Sequence, residues 1–156
     1  PLVNFRLVVI GGPLTTEDRD YQEKILEKVN DMDLDQYVKF VGSIPISDIP
    51  LYYKSAFVHL NLSDTGSMDK TVLEALASGC PVLTSNEAFH SLLRDFQDYL
   101  IGSIEPDAIA VQINNIYYNS DKVNRQALRN LITGKHDLAT FGSRIISEIE
   151  YAKRSC

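Results

Sequence analysis

Cysteine is scarce in this chain: Cys80 and Cys156 are the two present, and they form no CxxC pair. A zinc site or a disulfide framework is therefore excluded as the organising principle. Cys80, between a predicted helix and a predicted strand, reads as a small buried thiol. Basic runs are missing too, since no run of Lys or Arg exceeds two residues and the net charge is −6. That balance argues against a nucleic-acid-binding surface, whose affinity rests on phosphate neutralisation. A small anion held by backbone amides stays open, because amides need no net positive charge. No apolar run reaches the roughly 18 residues of a membrane span, and no signal peptide is visible. A reducing cytoplasmic setting is the expectation. The three histidines, His59, His90 and His136, have no metal-ligand spacing. GxSxG, Walker and GxGxxG motifs are absent, and Gly11-Gly12 alone names no dinucleotide site.

What is present is an alternation of short apolar runs with helical patterns. A chain of 156 residues is long enough to bury roughly 68–70% of its unfolded surface. Leu7–Ile10, closed by Gly11-Gly12-Pro13, predicts a fully buried strand ending in a sharp turn. Thr16 is placed to cap a helix over 17–31, with Tyr21, Ile25, Leu26 and Val29 on one face. Further strands are predicted at 37–41, 56–62 and 81–85, with a weaker fifth at 98–101 and a short helix over 47–54. In the last third, Pro106 opens a helix with Ile109, Ile113, Ile116 and Tyr117 as its stripe. Phe141, Ile145 and Ile149 mark the stripe of a terminal helix. The fold class predicted is α/β: a doubly wound, mostly parallel sheet with helices on both faces. Residues 1–156 are expected to be one domain, cut from a longer protein.

Such folds bind ligands at the carboxyl ends of their strands. The richest of those ends is "NLSDTGSMDKTVLEALASGCPV", residues 61–82. Ser63, Asp64, Thr65, Gly66 and Ser67 lead into a helix whose first amides lack internal partners and carry the positive dipole end. A phosphate or a sugar hydroxyl fits there, with Gly66 allowing close approach; an ordinary turn capped by Thr65 or Ser67 fits the same residues. On the helix, Leu73, Leu76 and Ala77 mark the buried stripe. Glu74 shares another face with Lys70, four residues before it. That spacing suits either a surface ion pair worth about 0.3–0.5 kcal/mol or a carboxylate facing a vicinal diol.

These residues resemble a known family. "DKTVLEALASGCPVLTS" after "NLSDTGS", with "LVVIGGP" and "VKFVGSIPISDIPLYYKSAFVHLNLS" upstream, resembles the donor-binding half of retaining glycosyltransferases of the GT-B type, glycosyltransferase group 1. The resemblance covers most of the chain and implies a Rossmann-like half that binds a nucleotide-sugar. A saccharide or glycoconjugate acceptor would bind a separate preceding domain, and the family's first strand and its Arg and Lys pair, which neutralise the leaving diphosphate, would lie before Pro1. Glu74 would hold the donor ribose, as the second of a pair of glutamates. Gly66, Ser67, Met68, Asp69 and Lys70 would face the diphosphate and sugar. Gly42, Ser43 and Ile44 would line the nucleobase, and Gly11 and Gly12 would form a strand-end turn near the donor. Transfer would retain the anomeric configuration and use no metal or other cofactor, in polysaccharide or glycoconjugate synthesis. The resemblance allows a full-length protein peripheral to a membrane; this fragment alone would be inactive.

The chain departs from the family pattern in two ways. Gly66 stands where the first motif glutamate is usual, with Asp64 and Asp69 as candidate stand-ins. The usual glycine pair after "PVLTS" is replaced by residues 86–89. A non-catalytic binding or scaffold module of the same fold is the alternative, and Gly66 in place of a Glu is the feature that favours it. A sugar-nucleotide epimerase would need further acid/base groups, and none stands out.

Overall fold

The computed structural model describes residues 5–136 and 138–154, in two compact units, Pro1–Ile49 and Pro50–Cys156. Each unit is built on a parallel strand pair joined through helix, the α/β arrangement expected.

In the first unit, β1 (Leu7–Ile10) leads through Gly11 and Gly12 to α1 (Thr16–Asp31) and β2 (Val38–Gly42). The strands run parallel, with Leu7 opposite Val38 and Val9 opposite Phe40; the register then shifts so that Ile10 faces Gly42. Helix α1 starts one residue earlier than predicted, because Thr15 rather than Thr16 caps it. The Asp18 amide donates to Thr15 Oγ1 at 3.1 Å, and the Thr15 amide donates back to Asp18 Oδ2 at 3.0 Å, a reciprocal capping box. These bonds hold the Asp18 carboxyl below its ordinary range. Contrary to expectation, β1 is not buried: Leu7 and Val8 are exposed. Two strands and one helix bury no residue completely among those described in this unit.

The second unit holds the core. It contains α2 (Ile49–Ser55, entering at its first residue from the other unit), β3 (His59–Asn61), α3 (Lys70–Ala77), β4 (Val82–Thr84), α4 (Pro106–Tyr118), α5 (Arg125–Ile132) and α6 (Leu138–Arg154). β3 and β4 pair in parallel, His59 to Val82 and Asn61 to Thr84. Both are shorter than predicted. The fifth strand reduces to one parallel bridge between Thr84 and Leu100, with a 3₁₀ turn, Gln97–Tyr99, taking up most of the segment. Val72, Leu76, Val82, Leu83, Phe89, Leu93 and Leu128 are fully buried and form the centre of the core.

Helix α3 buries Val72, Ala75 and Leu76, while Ala77, predicted in the stripe, faces outward. The helix ends in a defined cap. The Cys80 amide donates to the Ala75 carbonyl at 2.9 Å and the Gly79 amide to the Leu76 carbonyl at 2.8 Å. With Gly79 at φ +74°, this is a Schellman cap. Two arginines of α5 finish it: Arg125 Nη1 donates to the Gly79 carbonyl at 3.2 Å and Arg129 Nη2 to the Ser78 carbonyl at 3.2 Å. Cations are thus held at the negative end of the α3 dipole. Pro106 occupies the first turn of α4 as predicted, and Ile116 is buried; Tyr117 turns out toward Phe57, ring centroids 5.8 Å apart. The terminal helix forms, yet Phe141, Ile145 and Ile149 are all exposed on it. No helix among the described residues is long and apolar enough to cross a membrane.

Candidate functional site

The carboxyl ends of β3 and β4 are Asn61 and Thr84, adjacent in register. The loop from β3 to α3 and the turn after β4 therefore start side by side, and a polar network ties them together. Thr84 Oγ1 donates to Asn61 Oδ1 at 2.7 Å, and Asn61 Nδ2 donates to Asp69 Oδ2 at 2.8 Å. Asn86 Nδ2 donates to the Ser67 carbonyl at 2.8 Å and, at 3.4 Å, to the same Asp69 oxygen. Thr84 Oγ1 in turn accepts from the Asn86 amide at 3.1 Å. Thr84 and Asn86 are completely buried, so the bond between them is shielded from water, while those reaching Asn61, Ser67 and Asp69 are part-buried.

This network assigns the loop residues their places. Asp69 sits at the N-cap position of α3, but its side chain makes no capping bond because it is committed to Asn61 and Asn86. Neither Thr65 nor Ser67 is the cap; their hydroxyls bond each other at 3.1 Å, and Ser63 Oγ donates to Thr65 Oγ1 at 3.1 Å. The Asp69 carboxyl is held below its ordinary range, chiefly by the Asn61 bond. A carboxylate so engaged is poorly placed to stand in for the glutamate missing at Gly66. Asp64 is exposed and lines a cavity of about 460 Å³ with Leu62, Ser85 and Ser103, beyond the strand ends. Ser85 Oγ, on its wall, is buried without a hydrogen-bond partner. Gly66 adopts φ +68°, the left-handed region, with nothing within 4 Å of an added Cβ. Its role is thus conformational: it turns the chain rather than clearing space. Met68 and Lys70 are exposed beside it.

Glu74 projects from α3 and is exposed. The ion pairs among the described residues are Arg94–Asp95 and Arg154–Glu150, so Lys70 and Glu74 form none. What Glu74 does have is Tyr53 of α2, whose hydroxyl donates to Glu74 Oε2 at 3.5 Å. The Tyr53 ring is half-buried and meets His59 edge-on, centroids 5.4 Å apart at 90°. Burial first, and the Glu74 charge second, push the Tyr53 hydroxyl up to about 12. His59 Nε2 is buried without a partner, and burial lowers that imidazole's pKa. Cys80, also buried, is pushed up to about 11 by desolvation. Among the described residues no three His, Cys, Asp or Glu side chains gather as metal ligands.

In the first unit the predicted residues form their own cluster. The Gly11 amide donates to the Gly42 carbonyl at 2.9 Å, and both glycines have positive φ, +125° and +75°. A Cβ on Gly12 would stand 3.4 Å from Ser43 Oγ. Gly11, Gly12, Gly42 and Ser43 thus make one glycine-lined strand end.

With this geometry in hand, comparison with known proteins is decisive. The model of the family "Glycosyl transferases group 1" matches residues 1–119. The chain belongs to that family. Among curated group 1 relatives, alpha-monoglucosyldiacylglycerol synthase of Streptococcus pneumoniae is 33% identical over 91 residues, 58% of this chain and 19% of that protein. The Acholeplasma laidlawii protein of the same name is 29% identical over 94 residues, 59% and 22%. The chain thus spans about a fifth of the length of these relatives. Among solved structures, Anabaena HepE in complex with UDP superposes with a TM-score of 0.84 at 18% identity, over 94% of this chain and 41% of that one. Sucrose-phosphate synthase from Thermosynechococcus elongatus gives 0.81 at 18% identity, over 97% and 39%. The likeness is one of fold, the Rossmann-like half of a GT-B glycosyltransferase.

Tyr53, Asn61, Thr84 and Asn86 escaped the sequence reading as individual residues. The signal available for them was local: Asn and Thr each ending an apolar strand, and Tyr53 in the quoted Tyr pair.

Proposed function

We propose that this chain is the nucleotide-sugar-binding part of a glycosyltransferase that transfers a hexosyl group with retention to a saccharide or glycoconjugate acceptor. Membership in the group 1 family carries the reading. Solved fold neighbours captured with UDP and with UDP-glucose support a nucleotide-sugar as donor. On this reading Glu74 accepts hydrogen bonds from the donor ribose. Its exposure, its freedom from an ion pair and its place one helical turn past the α3 N-terminus support that role. Main-chain amides from Gly66 to Lys70 receive the diphosphate, helped by the helix dipole and the Lys70 ammonium, with no metal ion required. Gly42, Ser43 and Ile44 serve the nucleobase, with the turn at Gly11 and Gly12 beside the donor. The acceptor is taken by a further domain, so this chain alone transfers nothing, and the full-length enzyme works in the cytoplasm or at the membrane surface, in polysaccharide or glycoconjugate synthesis.

A binding module without transferase activity is the second reading, and Gly66 favours it. The left-handed turn occupies the place of a catalytic-motif glutamate, and the Asp69 carboxylate three residues on is committed to Asn61 and Asn86. Ligand-observed NMR against UDP-, GDP- and ADP-sugars, repeated on Glu74→Ala, tests the donor site. Binding of one nucleotide class that weakens in the variant supports it and names the base. Binding indifferent to Glu74 removes the ribose assignment. Sugar transfer by the full-length protein then separates enzyme from module.

A further inference from the structure

Glu74 stands on an exposed helical face, where a glutamate side chain ordinarily samples several rotamers; holding it still costs up to about 2 kcal/mol of side-chain entropy. A carboxylate that must accept from two adjacent hydroxyls gains if something else bears that cost in advance. The structure supplies such a group. Tyr53 Oη donates to Glu74 Oε2, and no other hydrogen bond to the Glu74 carboxylate is present among the described residues, so Oε1 is left free. Tyr53 is itself fixed: its half-buried ring is braced edge-on by His59 of β3, and Tyr53, with Ala56 just past the end of its helix, packs against the core of the same unit. Strand, aromatic pair and hydroxyl therefore lead in sequence to one carboxylate oxygen. At 3.5 Å the bond is long, but functional hydrogen bonds of this kind often tighten once a ligand is in place.

We infer that Tyr53 is the positioning residue for Glu74, holding Oε2 so that Oε1 and the remaining lone pair of Oε2 meet the two hydroxyls of a vicinal diol. The inference rests on the reading of Glu74 as the ribose ligand and deepens it, since it says what makes that carboxylate selective for a diol over a lone hydroxyl. Tyr53 does not touch the ligand. Its contribution is orientation, and orientation is read as discrimination rather than as affinity alone.

The test compares the tightest-binding of UDP, GDP and ADP with its 2′-deoxy counterpart by calorimetry on the full chain. Wild type should favour the ribonucleotide by about tenfold or more, the worth of a charge-assisted hydrogen bond. Tyr53→Phe keeps the ring against His59 and should leave the melting temperature in place, while narrowing that ratio by about threefold or more, since a mobile carboxylate makes weaker bonds. In a Glu74→Ala background, where the ratio should already be near unity, Tyr53→Phe should change nothing further, the signature of two residues acting as one. A ratio untouched by Tyr53→Phe but abolished by Glu74→Ala overturns the positioning role and spares the ribose assignment. A ratio untouched by Glu74→Ala overturns both, as does a chain that binds none of the three nucleotides. An equal effect of Tyr53→Phe with and without Glu74 would show that the hydroxyl acts elsewhere, and would also overturn the inference.

Discussion

Asn61, the last residue of one strand, donates its side-chain amide to Asp69 at 2.8 Å, the residue that opens the next helix. An eight-residue connection is thereby closed on itself by a charge-assisted bond, the stronger kind. Asn86 then fastens the closed loop to the neighbouring strand end through the Ser67 carbonyl and the same Asp69 oxygen. The loop that carries the proposed phosphate-facing amides is therefore preorganised by its own side-chain bonds.

Asn86→Ala should show how much of that order depends on one buried amide. The substitution leaves the Ser67 carbonyl and the Ala88 amide without their partners, at a cost of about 1–3 kcal/mol. For a chain of this size that corresponds to a melting temperature lower by about 2–4 °C per kcal/mol. Asn86→Asp should do at least as much damage at neutral pH, because it places a second carboxylate beside Asp69 and cannot donate. Calorimetric melts check both, and a wild-type melt in either variant would contradict the network.

Two glycines with nearly the same φ should respond differently to alanine. Gly66, at +68° with nothing near an added Cβ, should cost about 1–2 kcal/mol for the left-handed conformation alone. Gly79, at +74°, would also place its Cβ 3.1 Å from the Arg125 carbonyl oxygen and from Arg129 Nε. Backbone cannot yield there as a flexible side chain would, so overpacking should add about 1–3 kcal/mol. Urea midpoints of the two variants decide the matter; equal losses would mean that α5 moves aside freely.

The contrast between Gly66 and Gly79 also shows what the amino-acid pattern can and cannot disclose. Helices α1, α3 and α4 and the parallel strand pairs were legible because apolar spacing, caps and closing glycines are local signals. Strand lengths were not: the run over 56–62 is mostly apolar, yet only His59, Leu60 and Asn61 find partners, opposite the three residues of β4. The stripe of α6 was legible as apolar but not as exposed, since composition does not say what packs against it. At the candidate site, Glu74 stood out in the sequence as a lone carboxylate on α3, and its proposed ribose role comes from the resemblance. Tyr53, 21 residues before it, and the arginines that cap α3 from 46 and 51 residues downstream, act through contacts that no periodicity encodes.

The Asp69–Asn61 bond should make stability depend on acid. The folded Asp69 pKa lies below its ordinary 3.8, first because of Asn61. A depressed carboxyl stabilises the fold above its unfolded pKa, and that contribution is lost as pH falls through the folded value. Asn61→Ala should therefore be less stable than wild type at neutral pH, with the gap narrowing once the pH drops below 3.8. Denaturant titrations of both proteins at neutral and acid pH measure the gap; a gap of constant size would assign the whole loss to Asn61's bond with Thr84.

Tyr53 should give the opposite signature, at the alkaline end. Its hydroxyl ionises at about 12 in the folded chain against an ordinary 10.0, because of burial first and the Glu74 charge second. Between those values the unfolded chain has released a proton that the folded chain still holds, so stability falls as pH rises. The contribution is fully present below pH 10.0 and gone above about 12. Tyr99 is raised as well, so the wild-type decline has at least two sources, and only the difference between wild type and Tyr53→Phe isolates this one. Glu74→Gln separates the causes: it removes the charge while leaving the burial, so Tyr53 should ionise between the ordinary and the present value. Tyrosinate absorbance, followed in wild type and in both variants, reads this directly. If Glu74→Gln left the Tyr53 titration where it is in wild type, the carboxylate would not be facing that hydroxyl, and its orientation in α3 would have to be set by something else.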